Sequence, residues 1–133
     1  QLLRLHGSYP PDDRDVREDR RLRPLEPQWR FMVRLRLPGG VCTPAQWLAI
    51  DELARRHAGS TLRLTTRQTF QFHGIVKRDL KPTMQALNDA LIDTIATCGD
   101  VNRNVIASVN PVESPVHLEV AEWAKRLSEH LLP

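Results

Sequence analysis

"RLTTRQTFQFHGI", residues 63–75, decides the fold. Apolar and polar residues alternate on both sides of a short polar break. Leu64, Phe70 and Phe72 fall on one side, and Arg63, Thr65, Gln71 and His73 on the other. A period of two is the mark of a strand with one buried face. Thr66, Arg67 and Gln68 form the break between two such strands. The strip also gathers cations and amides on one side, and that side needs an explanation.

Working outward, "RFMVRLRL" (residues 30–37) alternates in the same way. Phe31, Val33, Leu35 and Leu37 face one side, with Arg34 and Arg36 on the other. Pro38, Gly39 and Gly40 end this strand. Thr43 then Pro44 predicts a helix start, a capping hydroxyl followed by proline at the first helical position. That helix runs to about residue 57, with Trp47, Ile50 and Ala54 on its apolar stripe and Gly59 as its stop. A second helix is expected over about 80–97, through Met84, Leu87, Leu91 and Ile95. "NRNVIAS" (102–108) reads as a fourth strand, and residues 117–132 as a last helix.

The order βαββαβ plus a trailing helix predicts an α+β fold, a ferredoxin-like sandwich with both helices on one face of an antiparallel sheet. Three segments are expected. Residues 1–27 form an extended charged arm, because 10–27 are dense in charge and proline without an apolar period. Residues 28–110 form the sandwich, and 111–133 a helix leading towards a further domain. The apolar sides of the strands, including Leu64, Phe70 and Phe72, meet the helices. The helix-free face then carries Arg34, Arg36, Arg63, Thr65, Gln71 and His73.

A solvated face is ordinary for an antiparallel sheet. This one is expected to be one-signed, and like charges on neighbouring strands repel unless an anion offsets them. The chain of 133 residues has a formal charge of +3 and a pI near 9.3, which also points weakly to an anionic partner. Nucleic acid is disfavoured. An RNA-binding sheet of this topology needs aromatic rings on its open face, whereas parity turns Phe70 and Phe72 inward. "TFQFHGI" also departs from the RNP1 pattern. No apolar run is long enough for a membrane span. Cys42 and Cys98 have no metal-ligand spacing, as expected of thiols in a reducing cytoplasm. His6, His57, His117 and His130 read as surface or helix-end residues, and Trp47 and Trp123 as core.

"RLTTRQTFQFHG", "VRLRLPGG", "VNRNV", "LHGSYPPDDRD" and "EWAKRLSEHLLP" together resemble the N-terminal region of the sirohaem-containing sulfite reductase haemoprotein family, the beta subunit of the NADPH-type enzyme. The resemblance covers nearly the whole chain. It implies an oxidoreductase of sulfur assimilation and cysteine biosynthesis that reduces sulfite to sulfide in a six-electron reaction. The implied cofactors are sirohaem, which is heavily carboxylated, and a [4Fe–4S] cluster whose ligands lie outside these residues. The implied partners are sulfite and a flavoprotein reductase subunit or other electron donor. Arg63, Thr65, Arg67 and Gln71 match positions that hold sirohaem carboxylates, with His73 in the same strip. Arg34 and Arg103 match arginines facing the sulfur oxyanion. Arg103 shares the parity of Val105, so this role requires a strand mouth or bulge at Asn102–Asn104.

Two rival readings stand beside this one. The sirohaem nitrite reductase branch is similar, and Pro10-Pro11 departs from the Gln-Gln common in the sulfite branch. A non-catalytic module for RNA or another anion is the other. On the leading reading the chain is an N-terminal piece of a longer protein, supplies one wall of the site and is inactive alone.

Overall fold

The computed structural model describes residues 2–9, 22, 29–98, 101–110 and 112–132. Its elements are α1 (Leu2–Leu5), β1 (Ser8–Tyr9), β2 (Arg30–Arg34), α2 (Pro44–His57), β3 (Arg63–Leu64), β4 (Phe70–Val76), α3 (Lys77–Asp89) and α4 (Pro115–His130). The sheet runs β1-β2-β4-β3 with every neighbouring pair antiparallel. Helices α2 and α3 pack on each other and over β4, and α3 also reaches β2. Between the two layers lie Phe31, Val33, Leu35, Ile50, Leu53, Phe72, Ile75 and Leu87, all buried. Full burial of one such side chain contributes about 1.5–3 kcal/mol. The α+β ferredoxin-like architecture is the one expected.

Local chemistry sets the start of α2. Thr43 Oγ1 accepts from Gln46 N at 3.2 Å, and Gln46 Oε1 accepts from Thr43 N at 3.0 Å. This reciprocal capping box satisfies two otherwise orphaned donors, with Pro44 at the first helical position. Helix α3 ends earlier than expected, at Asp89 rather than near residue 97. Leu91 N donates to Asn88 O and Ile92 N to Leu87 O, both at 2.9 Å, with Leu91 at a φ of 56°. That is a Schellman motif with leucine where glycine is usual. Buried Ile92 meeting the core beside Leu87 compensates the strained backbone.

The fourth strand is also not where the pattern put it. Residues 102–108 form no strand. Ser8–Tyr9 takes the edge beside β2 instead, pairing Ser8 with Val33 and Tyr9 with Met32. Gly7 permits this approach: at a φ of 68°, any Cβ there would lie 2.3 Å from Thr97 Oγ1. The expected arm over 1–27 thus begins with a turn of helix and a strand, while 10–21 and 23–28 lie outside the described residues. Segment 104–107 is held by side-chain amides and one backbone bond, from Gly39 N to Val105 O at 2.9 Å, rather than by a ladder. Asn104 donates to Leu37 O at 2.8 Å and accepts from Leu37 N at 3.1 Å. Gln68 donates to Ala107 O at 2.7 Å and accepts from Ala107 N at 2.9 Å.

Three further expectations are corrected. Leu64 is 80% exposed, because β3 is a two-residue edge strand and the helices rest on β4 and β2 instead. Arg36 is only 5% exposed and does not lie on an open face. Its Nε donates to Ser128 Oγ at 2.9 Å, its Nη2 to Ser128 O and its Nη1 to Ile95 O at 3.3 Å, which pins α4 to the sheet. Trp47 and Trp123 are half-exposed. Trp47 leans on Phe70 with ring centroids 5.6 Å apart, and Trp123 lies under the Arg126 guanidinium at 4.4 Å.

Candidate functional site

A bulge in β4 shapes the site. Phe31 pairs with Ile75 and Val33 with Phe72, so two residues of β2 advance against three of β4. Gly74, at a φ of 79°, supplies the turn. The bulge lets Phe72 and Ile75 both enter the core while Gln71 and His73 share the opposite face. Next to it, Arg34 pairs with Gln71 and Gln71 with Arg63. These three residues form one row across β2, β4 and β3.

Arg67 sits at the tip of the β3–β4 hairpin. Gln68 N donates to Thr65 O at 3.2 Å and Thr65 N to Thr69 O at 2.9 Å. Gln68 takes a φ of 54°, which gives a three-residue loop closed by a left-handed residue. Thr65 Oγ1 accepts from Arg67 N at 3.2 Å, and Asn104 Nδ2 donates to Arg67 O at 2.8 Å. The tip is therefore held from both sides, which steadies the base of the Arg67 side chain.

Partners decide which way the Gln71 amide points. With its oxygen towards Arg34 it accepts from Nε at 2.8 Å and Nη2 at 2.6 Å, while its nitrogen donates to His73 Nε2 at 3.0 Å. The reverse orientation would set donors against donors. Arg34 Nη1 donates to Thr97 O at 2.6 Å and lies 3.4 Å from Cys98 Sγ. Arg34 is thus clamped at three nitrogens, which leaves one Nη2 hydrogen for a ligand. The guanidinium groups of Arg63 and Arg67 are exposed and have no hydrogen bond or ion pair among the described residues.

One positive field covers the face. Burial pushes Arg34 down; the Cys98 thiol opposes this, and the charges of Arg103 and Arg67 add to it. Burial likewise pushes His73 below the usual imidazole range, followed by the charges of Arg63 and Arg34. Arg103 therefore acts on the same centre, from segment 101–110 rather than from a strand. Among the described residues, no carboxylate is one of the groups that move Arg34 or His73. Arg36, read from sequence as part of this face, belongs instead to the α4 contact. Thr97, Cys98 and Asn104 were missed. None lies on a strand of the sheet, so alternation could not find them.

The structure thus brings together Arg34, Gln71, His73 and Arg63 in one patch, with Thr65 and Arg67 in the adjoining hairpin and Arg103 within electrostatic reach. Such a set can hold a polyanion through exposed guanidinium forks and present a smaller oxyanion to a clamped cation. A cavity of about 630 Å³ lies elsewhere, between α4 and the residues around Arg36. Its lining mixes Asp93, Glu122 and Glu129 with Arg36 and Lys125, so it lacks the one-signed field. No cluster of three or more His, Cys, Asp or Glu residues suited to a metal occurs among the described residues. Cys42 and Cys98 are free thiols, and no described helix is long and apolar enough to cross a membrane.

Comparison with known proteins bears on the family and the fold. Residues 25–90 match the nitrite/sulfite reductase ferredoxin-like half domain. The chain is 64% identical over 132 residues to a sulfite reductase [NADPH] hemoprotein beta-component of Myxococcus xanthus, covering 99% of this chain and 24% of that protein. It is 62% identical to the protein of the same name from Anoxybacillus flavithermus, over all of this chain and 23% of the relative. Among solved structures, that of the Mycobacterium tuberculosis NirA protein superposes with a TM-score of 0.72 at 25% identity, covering 93% of this chain and 24% of that one. The chain therefore spans about a quarter of the length of the relatives it matches.

Proposed function

Because this chain belongs to the nitrite/sulfite reductase family through its ferredoxin-like half domain, we propose that it forms one wall of the sirohaem and substrate site of a sulfite reductase haemoprotein. The observation that carries the reading is the cationic face centred on Arg34, Gln71 and His73, where the described charged groups that act on His73 are all arginines. The sulfite branch is favoured over the nitrite branch by the names of the relatives that match nearly the whole chain.

The donor set suits a heavily carboxylated macrocycle. Arg63 and Arg67 offer unspent guanidinium forks, and the Thr65 hydroxyl lies beside them. His73 adds its Nδ1–H, since its Nε2 already accepts from Gln71. Each charge-assisted hydrogen bond of this kind contributes roughly 1.5–3 kcal/mol. When bound, sirohaem and a [4Fe–4S] cluster would relay the donor's electrons and provide the metal at which the sulfur oxyanion is reduced. Cluster ligands would come from other parts of the full-length protein.

Arg34 and Arg103 are assigned to the oxyanion. Clamped at three nitrogens, Arg34 needs no reorganisation to offer its remaining Nη2–H. A guanidinium keeps its charge near neutral pH, so both arginines stay cationic as oxygens leave. Protons would arrive through water ordered by these cations. A flavoprotein subunit or another low-potential donor would deliver electrons, and the two free thiols suit a reducing cytoplasm.

The test uses the full-length protein. Purified from cells that make sirohaem, it should show a sirohaem absorption band coupled to an iron–sulfur centre. With a reduced dye as donor, it should convert sulfite to sulfide. Absence of sirohaem from a correctly folded protein would exclude the reading.

A further inference from the structure

We propose that Gln71 is a positioning residue whose amide couples the protonation state of His73 to the placement of Arg34. The consequence for turnover rests on the reading of Arg34 as an oxyanion-facing cation; the coupling itself does not. Three facts carry it. The Gln71 oxygen takes both Nε and Nη2 of Arg34, at 2.8 and 2.6 Å. Its nitrogen is 3.0 Å from His73 Nε2, which must therefore be a lone pair. The two ends of an amide are chemically different, so they cannot be exchanged without loss.

Neutral His73 with its proton on Nδ1 fits this chain of bonds. Once Nε2 gains a proton, it faces the Gln71 NH2 as donor against donor. The amide must then turn its oxygen to His73 and its nitrogen to Arg34. That turn removes both Gln71 bonds from Arg34 and sets an NH2 against a guanidinium. Arg34 keeps Thr97 O as its acceptor and Cys98 Sγ nearby. Burial and, among the described residues, the cations Arg63 from β3 and Arg34 from β2 favour the neutral imidazole. Gln71 thus holds Arg34 while His73 is neutral and releases it when His73 is charged.

The experiment is nitrogen-15 NMR of histidine-labelled full-length protein, with His73 assigned by its loss in His73→Asn. The expected result is a neutral, Nδ1-protonated ring at pH 7 with and without sirohaem bound, and in the sirohaem-free form, where no cofactor carboxylate faces it, a titration below the ordinary histidine range. In Gln71→Glu the carboxylate can accept from both neighbours, so the His73 midpoint should move up. Sulfite affinity should then lose the fall that the wild type shows across the His73 titration. An Nε2-protonated or charged His73 at pH 7 in the wild type overturns the proposal, and so does an unmoved midpoint in Gln71→Glu. The wild-type spectrum suffices if the variant does not fold. Sirohaem content is read separately by absorption. A protein lacking sirohaem but showing the expected ring would defeat the functional reading and leave the coupling standing.

Discussion

Arg34 and Gln71 are direct partners in the β2–β4 ladder, and the same pair is joined through the side chains, with the Gln71 oxygen accepting two Arg34 donors. A cross-strand neighbour therefore sets the aim of the cation assigned to the substrate. In the full-length protein, Gln71→Leu should cut sulfite turnover by more than it lowers sirohaem content, because Arg63, Thr65, Arg67 and His73 remain to hold the carboxylates. The lost donor placement is worth about 10²–10³ in rate if it removes Arg34 from the oxyanion entirely, so a smaller loss is expected where Thr97 still holds it. Turnover and haem absorbance on one preparation check this.

Stability should depend on His73 below neutral pH. Its folded pKa lies under the unfolded value of 6.5, so the unfolded chain binds the proton first as pH falls. The contribution is fully present above 6.5 and is lost between that value and the lowered folded pKa. His73→Gln should flatten the change in melting temperature across this window; an unaltered slope would mean that other groups cause it.

Arg36 should matter for the fold and not for the chemistry. Arg36→Ala strands the Ser128 and Ile95 acceptors, at about 1–3 kcal/mol for each buried group left unsatisfied. Hydrogen exchange should quicken in α4 before it does in β4. Equal protection in both would show that Arg36 does not hold the helix.

Phe72 and Leu64 share a side by simple alternation, yet one is fully buried and the other exposed. Phe72→Ala should cost about 3–5 kcal/mol. Leu64→Ala should stay within about 0.5 kcal/mol, as surface changes do. Urea unfolding of the two variants separates them.

What alternation could show is clear from β2 and β4. Phe31, Val33 and Phe72 enter the core as their spacing required, and Gln71 and His73 share the opposite face. The Thr43–Pro44 signal placed α2 correctly. Beyond these, tertiary context prevailed. Leu91 ends α3 in a conformation that usually calls for glycine. The strand-like segment 102–108 was captured by the Asn104 and Gln68 amides, while Ser8–Tyr9, too short to show a period, took the sheet edge. Arg36 has the parity of Arg34 but lies where Ser128 of α4 covers the sheet. Gly74 was the visible trace of the bulge, since glycine inside a strand marks such irregularities. The cationic residues could be gathered from the pattern, but the division between clamped Arg34 and the exposed arginines required the structure.

On the proposed function, this face holds sirohaem with Arg63 and Arg67 and meets sulfite with Arg34 and Arg103. The most direct measurement is sirohaem absorbance together with sulfite turnover for Arg63→Ala, Arg67→Ala, Arg34→Ala and Arg103→Ala in the full-length protein. The first two should lose sirohaem, because its carboxylates lose their cationic partners. The other two should keep it and lose turnover, with lysine restoring activity only in part because a point charge lacks the planar fork. Normal sirohaem content and normal turnover in all four variants would contradict the account.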